Sequence, residues 1–138
     1  IEAVSSGEAA EHADWAMARV VADNDQLFGR DDWERFGLRV VDHDGLVIGG
    51  IAGYSHWSLG HVDHIWIHPD HRKEGLGTRL LSEAARLLHD RGCSVVSLET
   101  YSFQDAIDFY RGHGFEVVLT IENHPHGHRR WTLSRPLP

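Results

Sequence analysis

Ile65-Trp66-Ile67-His68-Pro69-Asp70-His71-Arg72-Lys73-Glu74-Gly75-Leu76-Gly77-Thr78-Arg79-Leu80-Leu81 is the stretch that decides the fold. Its opening residues read as the end of a β-strand over 61–68, which Pro69 stops. From Gly75 the pattern turns helical. Leu76, Leu80, Leu81, Ala84, Leu87 and Leu88 make one apolar face, and Gly92 supplies a C-terminal stop. A strand therefore enters a helix through a short glycine-bearing turn. The first backbone N–H groups of such a helix have no intrahelical acceptor, and they point outward with the positive end of the helix dipole. That is an anion site, and pyrophosphate is a common occupant. Gly75 and Gly77 permit close approach to the backbone. A plain strand-to-helix connection uses glycines in the same way, so spacing alone leaves both readings open.

Outward from this stretch, helices and strands interleave. Residues 1–4 read as a short first strand. Ser5 and Glu8 have capping-box spacing, followed by Ala9, Ala13, Ala16, Met17 and Val20 at helical intervals, which predicts a helix over 7–25. Residues 24–36 are polar and read as loop or short helix, anchored by Trp33 and Phe36. Asp42-His43-Asp44-Gly45 separates apolar runs at 38–41 and 46–54, a hairpin signal. After the long helix come a strand over 94–99, a short helix over 104–112 broken by Gly114, and a strand pair over 115–121 and 129–133. The order is β-α-ββ-β-α-β-α-ββ. The hairpins exclude an all-parallel sheet. The expectation is an α/β (α+β) fold with a mixed sheet of about six to seven strands and helices on both faces.

The 138 residues amount to one domain, with 41% hydrophobic and 25% charged residues. Disordered, collagen-like and coiled-coil chains are excluded on composition. Thirteen basic residues against 21 acidic give a net charge of −8, which disfavours nucleic-acid and anionic-membrane partners and favours an amine. The twelve histidines make the surface charge sensitive to mild acid. Cys93 is the single cysteine, so no intrachain disulfide forms. This fits a reducing, cytoplasmic compartment. Position 1 is not methionine, and no signal peptide or lipidation motif is visible, so a trimmed start is expected.

Two phosphate loops are ruled out by their residues: neither G-x-x-x-x-G-K-[ST] nor G-x-G-x-x-G after a strand occurs. Arg72, Gly75 and Gly77 instead match the Q/R-x-x-G-x-G/A motif of the GNAT superfamily of N-acetyltransferases. The surroundings match too: residues 65–69 before the turn, Leu80-Leu81 after it, Arg91-Gly92-Cys93 into the next strand, and Phe109-Tyr110-Arg111-Gly112-His113-Gly114-Phe115 further on. The chain resembles this superfamily clearly over 46–115. The resemblance implies one GNAT domain over 1–138 and acetyl-CoA, or another acyl-CoA, as co-substrate. It implies that Ile65, Trp66 and Ile67 hold the pantetheine arm as an added strand would. It implies too that the amides of Arg72, Lys73, Glu74, Gly75, Leu76, Gly77 and Thr78 take the pyrophosphate. Three departures stand out. Lys73 replaces a frequent glycine and costs little if its φ is negative. Glu74 is acidic and must face solvent. Phe103 stands where many relatives carry asparagine.

Acetyl transfer to an amine needs a neutral nucleophile, a stabilised oxyanion and an acid for the leaving thiolate. Tyr110 matches the family's acid, and a backbone N–H near Trp66 or Ile67 would hold the oxyanion. The base is one of His61, Asp63 and Glu99, or water. His61 and Asp63 share a strand face, whereas His64 faces the other way and packs. Trp33, Phe36 and Trp57 are acceptor-pocket candidates, and Trp15 reads as a core anchor. The rival nucleophilic chemistry finds little support, because Cys93 reads as a buried, unreactive thiol. His124, His126 and His128 read as a solvated loop, so no metal is expected. The expected activity is N-acetylation of a small primary amine: a polyamine, an amino sugar or an amine-bearing antibiotic. A protein or peptide amine and a non-catalytic acyl-CoA-binding module are the alternatives. A homodimer is compatible with the resemblance.

Overall fold

The computed structural model describes residues 1–138, which divide into two compact units, Ile1–Asp32 and Trp33–Pro138. The first unit holds α1 (Ala9–Leu27), two residues longer at its C-terminus than its periodicity predicts. The Ser5–Glu8 box forms just ahead of it. Glu8 Oε2 accepts from the Ser5 amide at 3.1 Å and from its hydroxyl at 2.6 Å, and Ser5 Oγ accepts from the Glu8 amide at 3.4 Å. These bonds hold the Glu8 carboxyl below the ordinary range. The expected strand at 1–4 is absent. No α1 residue is buried, and Trp15 is half exposed under the Arg19 guanidinium rather than a core anchor.

The second unit is a six-stranded mixed sheet in the order β1-β2-β3-β4-β6-β5. Its strands are β1 (Glu34–Val41), β2 (Val47–His56), β3 (Leu59–Ile67), β4 (Val95–Tyr101), β5 (Glu116–Glu122) and β6 (Arg129–Pro136). Helix α2 (Leu76–Asp90) follows β3, and α3 (Ile107–Gly112) follows β4. Every neighbouring pair is antiparallel except β3–β4. Strand β1 begins four residues before its apolar run, because Phe36 drops into the core and fixes the register Phe36↔Gly53. Asp42 Oδ1 closes the β1–β2 turn by accepting from the Asp44 and Leu46 amides, and Gly45 takes φ +81°.

Helix α2 packs on β1, β2 and β3 through Leu80, Leu81, Ala84 and Leu88. With Val62, Leu98, Phe115 and Leu133 they form the core. Full burial of each large side chain is worth roughly 1.5–3 kcal/mol. Gly60 lets α2 come this close, because a Cβ there would lie 2.6 Å from Leu88 Cδ1. Phe109 meets the first turn of α2 at Gly77, so α2 and α3 share a face of the sheet. Cys93 is buried, in line with its reading as a packed thiol. No helix is long and apolar enough to cross a membrane.

Candidate active site

Two irregularities in β3 build the site. The first is where its pairing ends. On the β2 side, β3 is paired along its length to Ile67, opposite Gly49. On the β4 side the parallel ladder stops at Val62↔Leu98. Beyond this point the strands part, and the edge of β3 from Asp63 onward faces a cleft. The second is a bulge. Ala52 pairs with His64 but Gly53 pairs with Val62, so Asp63 is an extra residue on β3. The bulge reverses the alternation of side chains beyond it. Ile65 and Ile67 pack toward the core, whereas His64 and Trp66 come back to the face that carries His61. The expectation that His64 packs on the far side is therefore corrected: it is exposed. Strict alternation fails because it takes no account of an inserted residue.

The cleft between the parted strands opens into a cavity of about 800 Å³. Ile65, Trp66 and Ile67 form one wall, the turn after β3 forms the floor, and Gln104, Phe109 and Tyr110 form the opposite wall. Of the ten residues named for the donor, nine line it: Ile65, Trp66, Ile67, Arg72, Lys73, Gly75, Leu76, Gly77 and Thr78. The tenth, Glu74, is turned aside, with its carboxylate 3.4 Å from His71 Nδ1 and open to solvent.

The turn is pinned by its own atoms. His68 N–H donates to Ile48 O, and His68 Nδ1 accepts from the Asp70 amide. Arg72 Nε donates to Ile67 O at 3.0 Å, which ties the guanidinium's near end to the strand it follows. Gly75 caps α2 at φ +80°. Lys73 is also left-handed, at φ +67°. The expectation of a negative φ is corrected, and a non-glycine residue in this region costs roughly 1–2 kcal/mol. The Lys73 ammonium accordingly stands in a turn whose backbone favours glycine. Thr78 Oγ1 lies 3.1 Å from His113 Nε2, and His113 Nδ1 lies 2.7 Å from Phe109 O. The carbonyl can only accept, so Nδ1 donates and Nε2 accepts from the threonine hydroxyl.

Tyr110 is 7% exposed and borders the cavity. Burial pushes its phenol above the ordinary tyrosine value. Phe103, at the position in doubt, is half exposed and stacks on Tyr101 at 5.3 Å, away from the residues lining the cavity. Its neighbour Gln104 lines the cavity instead. Gln104 Oε1 is fixed by the Thr100 hydroxyl and the Tyr101 amide, at 3.0 and 2.8 Å.

On the face opposite α2, His61, Asp63, Tyr54 and Glu99 gather. The His61 ring lies 5.2 Å from that of Tyr54, its Nδ1 is 2.7 Å from Ser97 Oγ, and its Nε2 is 3.9 Å from Asp63 Oδ1. Burial raises the Tyr54 phenol, and the charges of Asp63 and Glu99 raise it further. Glu99 is ion-paired with Arg130 at 3.4 Å, so its charge is partly compensated. The Trp33 ring lies 5.7 Å from that of Tyr54, tilted against it. Phe36 is buried in the core and does not serve the pocket. Trp57 occupies the tight β2–β3 turn at φ +52° and stacks on His56. In the 122–128 loop, His128 Nδ1 lies 3.1 Å from Ser102 Oγ. Reading from sequence missed Ser97, Tyr54, Gln104 and His113. Ser97 and Tyr54 were accessible only once the pairing partners of His61 were known.

The helix-entry turn, the open edge of β3 and the buried Tyr110 phenol share one cavity, whereas His61, Asp63 and Glu99 lie on the other face of the sheet and do not line it. The family model described as Acetyltransferase (GNAT) family matches residues 6–115. The chain is 37% identical over 84 residues to Blasticidin-S acetyltransferase of Streptomyces morookaense, covering 60% of this chain. It spans 61% of that relative's length. A crystal structure of an acetyltransferase from Bacillus cereus superposes with TM-score 0.87 at 27% identity, covering 99% of this chain and 96% of that one. An aminoglycoside 6'-N-acetyltransferase complexed with coenzyme A superposes with TM-score 0.67 at 16% identity, covering 76% and 74%. At that identity the likeness concerns the fold.

Proposed function

Because the chain belongs to the acetyltransferase (GNAT) family, we propose that residues 1–138 act as one domain moving an acetyl group from acetyl-CoA directly to a small primary amine. The parting of β3 from β4 above the 72–78 turn carries this reading. It supplies an open strand edge for an extended amide-bearing arm and unsatisfied helix-entry amides for a pyrophosphate, in one cavity. The aminoglycoside acetyltransferase of this fold is complexed with coenzyme A, which supports the same co-substrate here.

Each chain residue then has a task. The Gly75, Leu76 and Gly77 amides hold the pyrophosphate, with Lys73 adding charge. A backbone N–H near Trp66 or Ile67 holds the carbonyl oxygen as it becomes an oxyanion. His61 takes a proton from the ammonium form of the acceptor. Asp63 stabilises the resulting imidazolium. Tyr110, kept protonated by burial, donates to the leaving thiolate. No activated serine or cysteine stands in the cavity lining, so direct transfer suffices. The chain's negative charge and the Asp63 carboxylate favour a cationic acceptor, and a relative named for blasticidin-S supports an amine-bearing antibiotic. A cytoplasmic site of action fits a single, buried cysteine.

The test is release of free thiol from acetyl-CoA against a panel holding spermidine, an aminoglycoside, blasticidin S and a peptide with a free N-terminus. Turnover with one of the small amines supports the reading. Turnover with the peptide alone moves the acceptor class to proteins. Tight acetyl-CoA binding without turnover on any amine supports a binding module instead.

A further inference from the structure

We propose that Ser97 is a positioning residue. It holds His61 with its hydrogen on Nδ1, so that Nε2 keeps a lone pair beside Asp63 and the two receive one acceptor nitrogen. This rests on the acetyl-transfer reading above and adds to it the group that orients the base.

His61 and Ser97 are register partners in the only parallel ladder of the sheet. Their 2.7 Å contact is thus set by two paired strands and not by a loop. A neutral imidazole carries one N–H and one lone pair, and a serine hydroxyl can meet either. If the hydrogen sits on Nδ1, Ser97 Oγ accepts it and Nε2 faces outward as an acceptor. When Nε2 then takes a proton, the Nδ1–Ser97 bond is kept, because both ring nitrogens of the imidazolium are donors. If the hydrogen sits on Nε2, Ser97 must donate to Nδ1, and both groups must reorganise before Nε2 can act as a base.

The separation of Nε2 from Asp63 Oδ1, 3.9 Å, exceeds a hydrogen bond. One nitrogen donating at about 2.9 Å to each atom bridges it. An ammonium bound this way loses one proton to Nε2. Its N–H bond breaks, the electron pair stays on the amine nitrogen, and a new N–H forms on the ring. The imidazolium is then flanked by the Asp63 carboxylate and the Ser97 hydroxyl. Tyr54 covers one side of the ring, while Glu99 is held by Arg130.

The experiment has a spectroscopic arm and a kinetic arm, both on the whole chain. Long-range ¹H–¹⁵N spectra of protein labelled in its histidine rings report the tautomer of each ring. His61 is assigned by its loss in His61→Gln. The expected wild-type result is an Nδ1–H tautomer for neutral His61, lost in Ser97→Ala and kept in Ser97→Thr. Thiol release from acetyl-CoA is followed with spermidine and, without acceptor, to water. Ser97→Ala should lower kcat about 10- to 100-fold, approaching the loss of a general base. KM for acetyl-CoA should stay within about twofold, and Ser97→Thr should restore turnover. An Nε2–H tautomer in the wild type overturns the proposal, as does a Ser97→Ala variant with unchanged kcat. If His61→Gln also keeps full turnover, His61 is not the base, and this inference falls while acetyl transfer stands. If His61→Gln is inactive and the tautomer is Nε2–H, only the role of Ser97 falls.

Discussion

Lys73 and Gly75 flank Glu74 with left-handed backbones, at φ +67° and +80°. Together they turn the chain so that the amides at the start of α2 face the cavity. Glycine adopts this conformation without strain; lysine does not. Lys73→Gly and Lys73→Ala both remove the ammonium, so their difference isolates the backbone. Lys73→Gly should be the more stable of the two by about 1 kcal/mol, measured by denaturant unfolding. Both should bind acetyl-CoA more weakly than the wild type, and to a similar degree. Equal stability of the two would mean that Lys73 carries no strain.

Tyr110 is the acid in the proposed reaction. Burial holds its phenol above the ordinary value, so it is protonated throughout the neutral range. Tyr110→Phe should lower turnover roughly 10²-fold, with acetyl-CoA affinity nearly unchanged. Steady-state kinetics and calorimetry on the same variant separate the two quantities. An unchanged rate across the pH range would remove Tyr110 from the mechanism.

The same burial makes stability depend on alkaline pH. The folded values of Tyr110 and Tyr54 lie above that of an unfolded tyrosine, which is about 10. Their contribution is fully present below that unfolded value and is lost as pH rises through the folded values. Tm should accordingly hold up to about pH 10 and fall above it. Tyr110→Phe should show a shallower alkaline fall than the wild type, by differential scanning fluorimetry. An equal fall in both would assign the loss to other groups.

Gly53 stands opposite the bulge at Asp63. A Cβ there would lie 1.9 Å from His61 O and 2.9 Å from the Phe36 ring. Gly53→Ala must therefore shift the β2–β3 ladder at the point that sets His61 and Asp63. It should destabilise the chain by roughly 1–3 kcal/mol and lower turnover more than it lowers donor affinity. A variant of wild-type stability and activity would show that the bulge does not set the site.

The legible parts of this molecule were those with local causes. The 72–78 turn, the apolar face of α2 and the Asp42 to Gly45 hairpin follow from residues a few positions apart. The strand over 94–99 and the last hairpin were read within two or three residues of their bounds. Three features were hidden because their causes are not local. The bulge at Asp63 depends on pairing with β2, so alternation put His64 on the wrong face. The early start of β1 depends on Phe36 reaching the core. The expected strand at 1–4 had an apolar composition but no pairing partner. Nine of the ten residues named for the donor line one cavity, because their motif is contiguous. On the face opposite α2, His61, Asp63 and Glu99 were named singly. Ser97 and Tyr54 join them only through strand pairing.

In the proposed reaction the cleft between β3 and β4 binds acetyl-CoA on the 72–78 turn. Isothermal titration of the wild type and of Gly75→Glu with acetyl-CoA, with ATP as a control, tests it most directly. Saturable acetyl-CoA binding by the wild type is expected, with no comparable binding of ATP and with loss of acetyl-CoA binding in Gly75→Glu. There a side chain and a negative charge enter the left-handed cap of α2. Absence of acetyl-CoA binding to a folded wild-type chain, or undiminished binding by Gly75→Glu, would contradict it.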